Sequence, residues 1–195
     1  MSEQGVSCAY FQQAGPQNTD RTLALAGQRA VDLGIEHIVV ATTSGETGVK
    51  AVRALSDQGR RHVIAVTHST GFSAPNVQEL LGEYRDGITE GGGTILTCQH
   101  ALGGVNRAVR RKLGTYEIDE IIAFALRSFG QGTKVACEIT LMAADAGLVP
   151  AGQEIIAIGG TGRGADTAAV ILAANAQDFF DLRVLEIICK PRSWR

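Results

Sequence analysis

The chain has 195 residues, 45% apolar and 19% charged, which excludes a disordered chain and suits one packed domain spanning residues 1–195, with a core large enough to need no metal or disulfide. Its net charge of −2 excludes a broad electrostatic field for nucleic acid. No apolar run reaches membrane-spanning length and residues 1–6 are polar, so a cytoplasmic protein with no membrane partner is expected. Cys8, Cys98, Cys137 and Cys189 lie far apart without CxxC or zinc spacing, so they are expected to be free thiols, with no metal site.

Residues 6–11 (VSCAYF) are a short strand candidate. Asn18, Thr19 and Asp20 offer caps for a helix in which Leu23, Gly27, Ala30 and Leu33 recur at helical spacing, and Gly34 ends it. Residues 37–42 form an apolar run without alternation, as in a strand covered on both faces. A helix carrying Val49, Val52 and Leu55 follows, then a strand over 62–67. A polar loop over 68–75 leads into an expected helix bearing Val77, Leu80, Leu81 and Tyr84. Gly91, Gly92 and Gly93 turn the chain into a strand over 94–98. The cluster Arg107, Arg110, Arg111 and Lys112 reads as the solvated side of a helix, with a local phosphate as the alternative. Helices are expected over 117–128, where Ile118, Ile121, Ile122 and Ala125 form a stripe, and over about 132–146. A strand over 154–158 opens onto a glycine loop. Strands over 168–173 and 184–189 then follow with no room for a helical crossover, so they should pair antiparallel. The alternation predicts a three-layer α/β/α sandwich on a mostly parallel mixed sheet. The strand ending at Cys189 should need a cover at the sheet edge, which a homo-oligomer would supply.

Two junctions carry chemistry. After the strand at 37–42 stand Thr42, Thr43, Ser44, Gly45, Glu46 and Thr47, just where a helix should begin. The first amides of a helix have no internal acceptor and its dipole adds about half a positive charge there, so the turn suits an anion. Ser44 and Thr47 would add hydroxyl donors, and Gly45 would let a ligand approach the backbone. An ordinary capping turn accounts for the same residues. The second junction is Gly159, Gly160, Thr161, Gly162, Arg163, Gly164, Ala165, Asp166 and Thr167. It satisfies GxGxxG/A, but the 30 residues that remain after Ala165 leave no βαβ unit for a dinucleotide fold. It reads better as a ligand loop in which Arg163 forks onto phosphate and Asp166 and Thr167 take ligand hydroxyls. A plain glycine turn is the alternative.

If the strands before these junctions are parallel, their loops share one edge with His68, His100 and Phe72, the last a candidate stacking surface. Cys98 and His100 form a conceivable thiolate–imidazole pair, though core and loop roles are the simpler account. Glu138 and Asp145, seven apart on one helix, read as a solvated stripe rather than a catalytic pair.

The 42–47 turn resembles the phosphate-binding turn of the pyruvate kinase C-terminal domain through Thr42, Ser44, Gly45 and Thr47, and residues 62–67 resemble that family's next strand. The chain is still more similar to stand-alone prokaryotic proteins with this fold and no catalytic barrel. That similarity runs through Ser44-Gly45-Glu46-Thr47, Val66-Thr67-His68 with Gly71-Phe72, residues 136–148 (ACEITLMAADAGL) and 158–167 (IGGTGRGADT), covering about Tyr10 to Pro191. The resemblance implies the fold, a phosphate-ester ligand and, for the stand-alone family, bound flavin mononucleotide (FMN). It implies no pyruvate kinase activity, whose residues lie in the barrel. The family turn usually carries Arg where this chain has Glu46, which disfavours a sugar bisphosphate. Relatives' Ser-Gly-x-Glu-Arg is replaced here by Gly103-Gly104-Val105-Asn106-Arg107. Two other functions stay open: a flavin-dependent or phosphate-ester enzyme with His68 or His100 as proton donor, and a metabolite-sensing oligomer.

Overall fold

A computed structural model describes residues 3, 5–57 and 60–193, so the polar start read over residues 1–6 lies partly outside it. The strands are β1 (Ala9–Phe11), β2 (His37–Ala41), β3 (His62–Val66), β4 (Thr94–Leu96), β5 (Glu154–Gly159), β6 (Thr167–Leu172) and β7 (Arg183–Pro191). The helices are α1 (Thr19–Leu33), α2 (Glu46–Leu55), α3 (Gly82–Glu90), α4 (Val105–Leu113), α5 (Ile118–Arg127) and α6 (Gln131–Asp145). The strands form one sheet in the order β1-β7-β6-β5-β2-β3-β4. Only β6 runs against its neighbours, in the tight β5–β6–β7 meander expected from the missing crossover.

Apolar runs fill the middle of the sheet because both faces are covered. On one face Ile38, Val40, Val63, Ala65, Ile156 and Ile158 pack with Leu23, Ala26 and Ala30 of α1, Val49 and Val52 of α2 and Ile88 of α3. On the other, Val39, Ile64, Ile155, Ala157 and Ile171 pack with Ala136, Ile139, Met142 and Ala143 of α6. The result is the expected three-layer sandwich. Among the described residues no helix is long and apolar enough to cross a membrane.

Four expectations need correction. The first strand is only Ala9–Phe11. It lies parallel to β7 with Ala9 opposite Cys189, so the end of β7 is covered from within the chain, while β1 and β4 are the sheet edges. The helix expected from Val77 onward starts at Gly82. The Leu81 amide donates to Ser44 O at 2.9 Å and the Leu80 amide to Gln78 Oε1 at 2.9 Å, so this stretch is held against the 42–47 turn before the helix begins. Lastly, Ile118 and Ile121 of the α5 stripe face solvent, and α5 buries Ala123 and Glu120 instead.

Candidate functional site

Strands β2, β3, β4 and β5 are mutually parallel, so the loops after them share the carboxyl edge. From β2 the chain moves outward to β3 and β4, while β5 lies on β2's other side, which makes the β5/β2 boundary the place where strand order reverses. A crevice of about 700 Å³ opens there. The turn after β2 and the loop after β5 line it, with His68, Glu79, Leu81 and Tyr84 from the segment after β3, His100 from the loop after β4, and Gln131, Val135, Glu138, Ile139 and Met142 from α6.

In the turn, Thr42 Oγ1 accepts the Gly45 amide at 3.1 Å and the Gly48 amide at 3.3 Å. Ser44 Oγ accepts the Glu46 amide at 3.5 Å, the limit of a hydrogen bond. The capping role and the anion role therefore divide the residues. Thr42 closes the turn from inside, and the amide of Thr47 takes none of these bonds. Gly45 sits at φ 105°, and a Cβ there would lie 2.4 Å from Tyr84 Cβ, so its bareness admits Tyr84 rather than a ligand. Glu46 lines the crevice with its side chain largely exposed and its Oε1 3.7 Å from Lys50 Nζ.

The glycine loop is tied down from below. Asp166 is fully buried; its Oδ2 accepts the Gly15 and Thr161 amides at 3.0 and 3.2 Å, and its Oδ1 accepts the Thr167 hydroxyl at 2.9 Å. Neither Asp166 nor Thr167 reaches the crevice, so the expectation that they take ligand hydroxyls fails; a carboxylate with three internal donors stabilises the loop instead. Gly160, Gly162, Arg163 and Gly164 do line the crevice, while Thr161 contributes its amide to Asp166. Gly164 has φ 69° and packs on Pro16, where a Cβ would come 2.6 Å from Pro16 Cα. Arg163 is exposed at the crevice and has no ion-pair partner among the described residues.

His68 Nδ1 donates to Glu79 Oε2 at 2.9 Å, which leaves its Nε2 without a partner among the described residues. His100 is more constrained. Its Nε2 accepts the Ser69 amide at 3.4 Å, and its Nδ1 lies 3.8 Å from Glu138 Oε2. Phe72 stacks on both, with ring centroids 4.0 Å from His68 and 5.0 Å from His100, and the Arg107 guanidinium lies 4.7 Å over the ring. With these neighbours Phe72 is no stacking surface for a ligand and does not line the crevice. It clamps the two histidines together, and Arg107 is correspondingly drawn away from the solvated role expected for it. Cys98 does not pair with His100; its thiol pKa is raised by burial and by the Asp145 charge.

Glu138 is the residue most misjudged from sequence. It is 4% exposed, bonded to Lys134 Nζ through Oε2 and to the Leu102 amide at 3.1 Å through Oε1. Burial pushes its pKa up, but neighbouring His100 and the Lys134 ammonium outweigh that and hold it at about 2. Burial lowers the pKa of Lys134 against the pull of Glu138. Asp145, its supposed partner in a solvated stripe, instead accepts from Asn175 Nδ2 and the Ala176 amide at 3.1 and 3.0 Å. The available signal was α6 itself: residues 135–144 are apolar nearly all round, and a charge in such a helix must be buried and paired.

A protein-family model described as "Pyruvate kinase, alpha/beta domain" matches residues 20–171, well over half of the chain. Solved structures of similar shape include a pyruvate kinase from Cryptosporidium parvum, with 13% identity and a TM-score of 0.40, over 80% of this chain and 22% of that one. Another is Cryptosporidium parvum pyruvate kinase in complex with ADP, with 13% identity and a TM-score of 0.41, over 80% of this chain and 23% of that one. This chain thus spans less than a quarter of the length of the pyruvate kinases it matches.

Proposed function

This chain belongs to the pyruvate kinase alpha/beta domain family, and from that premise we propose that it binds a phosphorylated small molecule in the crevice between the 42–47 turn and the glycine loop. The observation that carries this reading is the juxtaposition of Ser44 and Thr47 at the start of α2 with Arg163, a cation with no ion-pair partner among the described residues, around a crevice of about 700 Å³. That volume lies within the roughly 300–1,000 Å³ of small-molecule sites. A phosphate accepts from the Ser44 and Thr47 hydroxyls and from the guanidinium, helped by the positive end of α2.

The ligand implied by the family resemblance is FMN. The residues fit it: Val135, Ile139, Met142, Leu81 and Tyr84 give the crevice apolar lining for a ring system, and Ser44, Thr47 and Arg163 in the same lining suit a phosphate. When bound, FMN would supply redox chemistry. The chain's own residues hold the phosphate and keep His68 fixed through Glu79. The Nε2 of His68, without a partner among the described residues, favours a second reading, an enzyme acting on a phosphate ester or through flavin with His68 as proton donor. His100, with both nitrogens directed at protein groups, fits that role less well.

Mass spectrometry and absorbance of the purified protein, followed by calorimetric titration with FMN, test the proposal. Ser44→Ala with Thr47→Ala should weaken phosphate-ester binding about tenfold or more while the unfolding midpoint moves little. Unchanged affinity in that double variant refutes the site.

A further inference from the structure

The helix pair α4–α5 is built inside out. Leu113, Tyr116, Ile118, Ile121, Phe124 and Phe129 are 52% to 75% exposed, although the spacing of 118, 121 and 124 is that of a buried helical stripe. Tyr116 and Phe124 meet edge to face with ring centroids 5.7 Å apart, which joins the inter-helix turn to the α5 stripe as one surface. Taking roughly 150–200 Å² per large side chain, these exposures amount to on the order of 650 Å². A stable interface takes about 800 Å² from each partner, apolar centre and polar rim together, and large exposed patches of this kind mark interaction sites.

The charges beside the patch indicate the occupant. Arg111 and Lys112 precede the turn and Glu117 and Asp119 follow it, and none has an ion-pair partner among the described residues. Arg110, by contrast, is held by Glu120 at 3.2 Å. Arg127 adds a third cation, its guanidinium 5.1 Å over the Phe124 ring; with cations and carboxylates both bordering one apolar stripe, a two-fold axis sets the cations of one copy against the carboxylates of the other. We propose that the α4–α5 face is an isologous dimer interface between two copies of this chain, independent of what the crevice binds.

Sedimentation velocity and light scattering on the full chain at micromolar concentration test this. The expected result is a dimer of twice the 20.5 kDa chain mass. Ile121→Glu with Phe124→Glu should raise the dissociation constant by about a hundredfold or more with the circular dichroism unchanged. Phe180→Glu, at an exposed aromatic outside this patch, should leave it as it is. Should the double variant fold poorly, charge reversal replaces it: Arg111→Glu with Lys112→Glu should weaken the dimer, and adding Glu117→Lys with Asp119→Lys should restore it. A monomeric wild type, an assembly that survives the apolar double variant, or charge reversal without effect overturns the proposal, as does a monomer that binds anionic vesicles through this patch.

Discussion

Lys134→Met should be among the most damaging single changes to this chain, although Lys134 touches no expected ligand. It removes the ammonium bonded to Glu138 and leaves a carboxylate 4% exposed with only His100 and the Leu102 amide to hold it. The fall of the Glu138 pKa from 4.5 to about 2 corresponds to about 3–4 kcal/mol, since each pH unit is worth about 1.4 kcal/mol. That figure is net of the burial that opposes it, and His100 supplies part of it, so it sets only the scale for the Lys134–Glu138 pair. Breaking a buried ion pair commonly costs about 3–5 kcal/mol, most of it for the charge left behind. Urea unfolding at neutral pH should therefore show a loss of about 2–3 kcal/mol for Lys134→Met. Adding Glu138→Gln should return part of it, because the stranded charge is gone. A depressed carboxylate pKa contributes stability above the unfolded value and loses it as pH falls through the folded one. The contribution of Glu138 to wild-type stability should therefore be full above about pH 4.5 and shrink as the pH drops toward 2. A variant within about 0.5 kcal/mol of wild type at neutral pH, or a double variant as unstable as the sum of the singles, refutes the assignment.

Thr42→Val keeps the shape but removes the acceptor of the Gly45 and Gly48 amides, and should cost about 1–3 kcal/mol in thermal unfolding, with Thr42→Ser restoring most of it. Gly164→Ala puts a Cβ against Pro16 at a φ of 69°, and should lower stability by about 1–3 kcal/mol while loosening the loop that carries Arg163; equal stability to wild type counts against the packing described. Burial pushes the thiols of Cys137 and Cys189 up to about 11, so a colorimetric thiol reagent at mildly alkaline pH should label Cys8 first and Cys98 more slowly. Cys137 and Cys189 should react only on unfolding, and four thiols reacting at one rate would contradict this.

The sandwich was legible because its signal is local: continuous apolar runs bounded by turns read as strands buried on both faces, and the short gap between 173 and 184 forced the antiparallel meander. What failed depended on partners far along the chain. The stretch from Val77 to Tyr84 has helical spacing, yet a backbone bond from Leu81 to Ser44 delays the helix to Gly82. The stripe of α5 has the period of a core helix, and periodicity alone does not say whether a stripe faces this chain's core or another surface. The same limit applies to the hydroxyls of the 42–47 turn. A threonine that caps and a serine that binds are the same chemistry in sequence; all three line the crevice, and only geometry separates Thr42, whose hydroxyl takes two amides, from Ser44, whose one amide bond is at the 3.5 Å limit, and Thr47. That separation has a measurable consequence. If it is right, Thr42→Val acts mainly on unfolding and the Ser44 and Thr47 pair mainly on ligand affinity; if both act on the same quantity, the turn is a cap and nothing more.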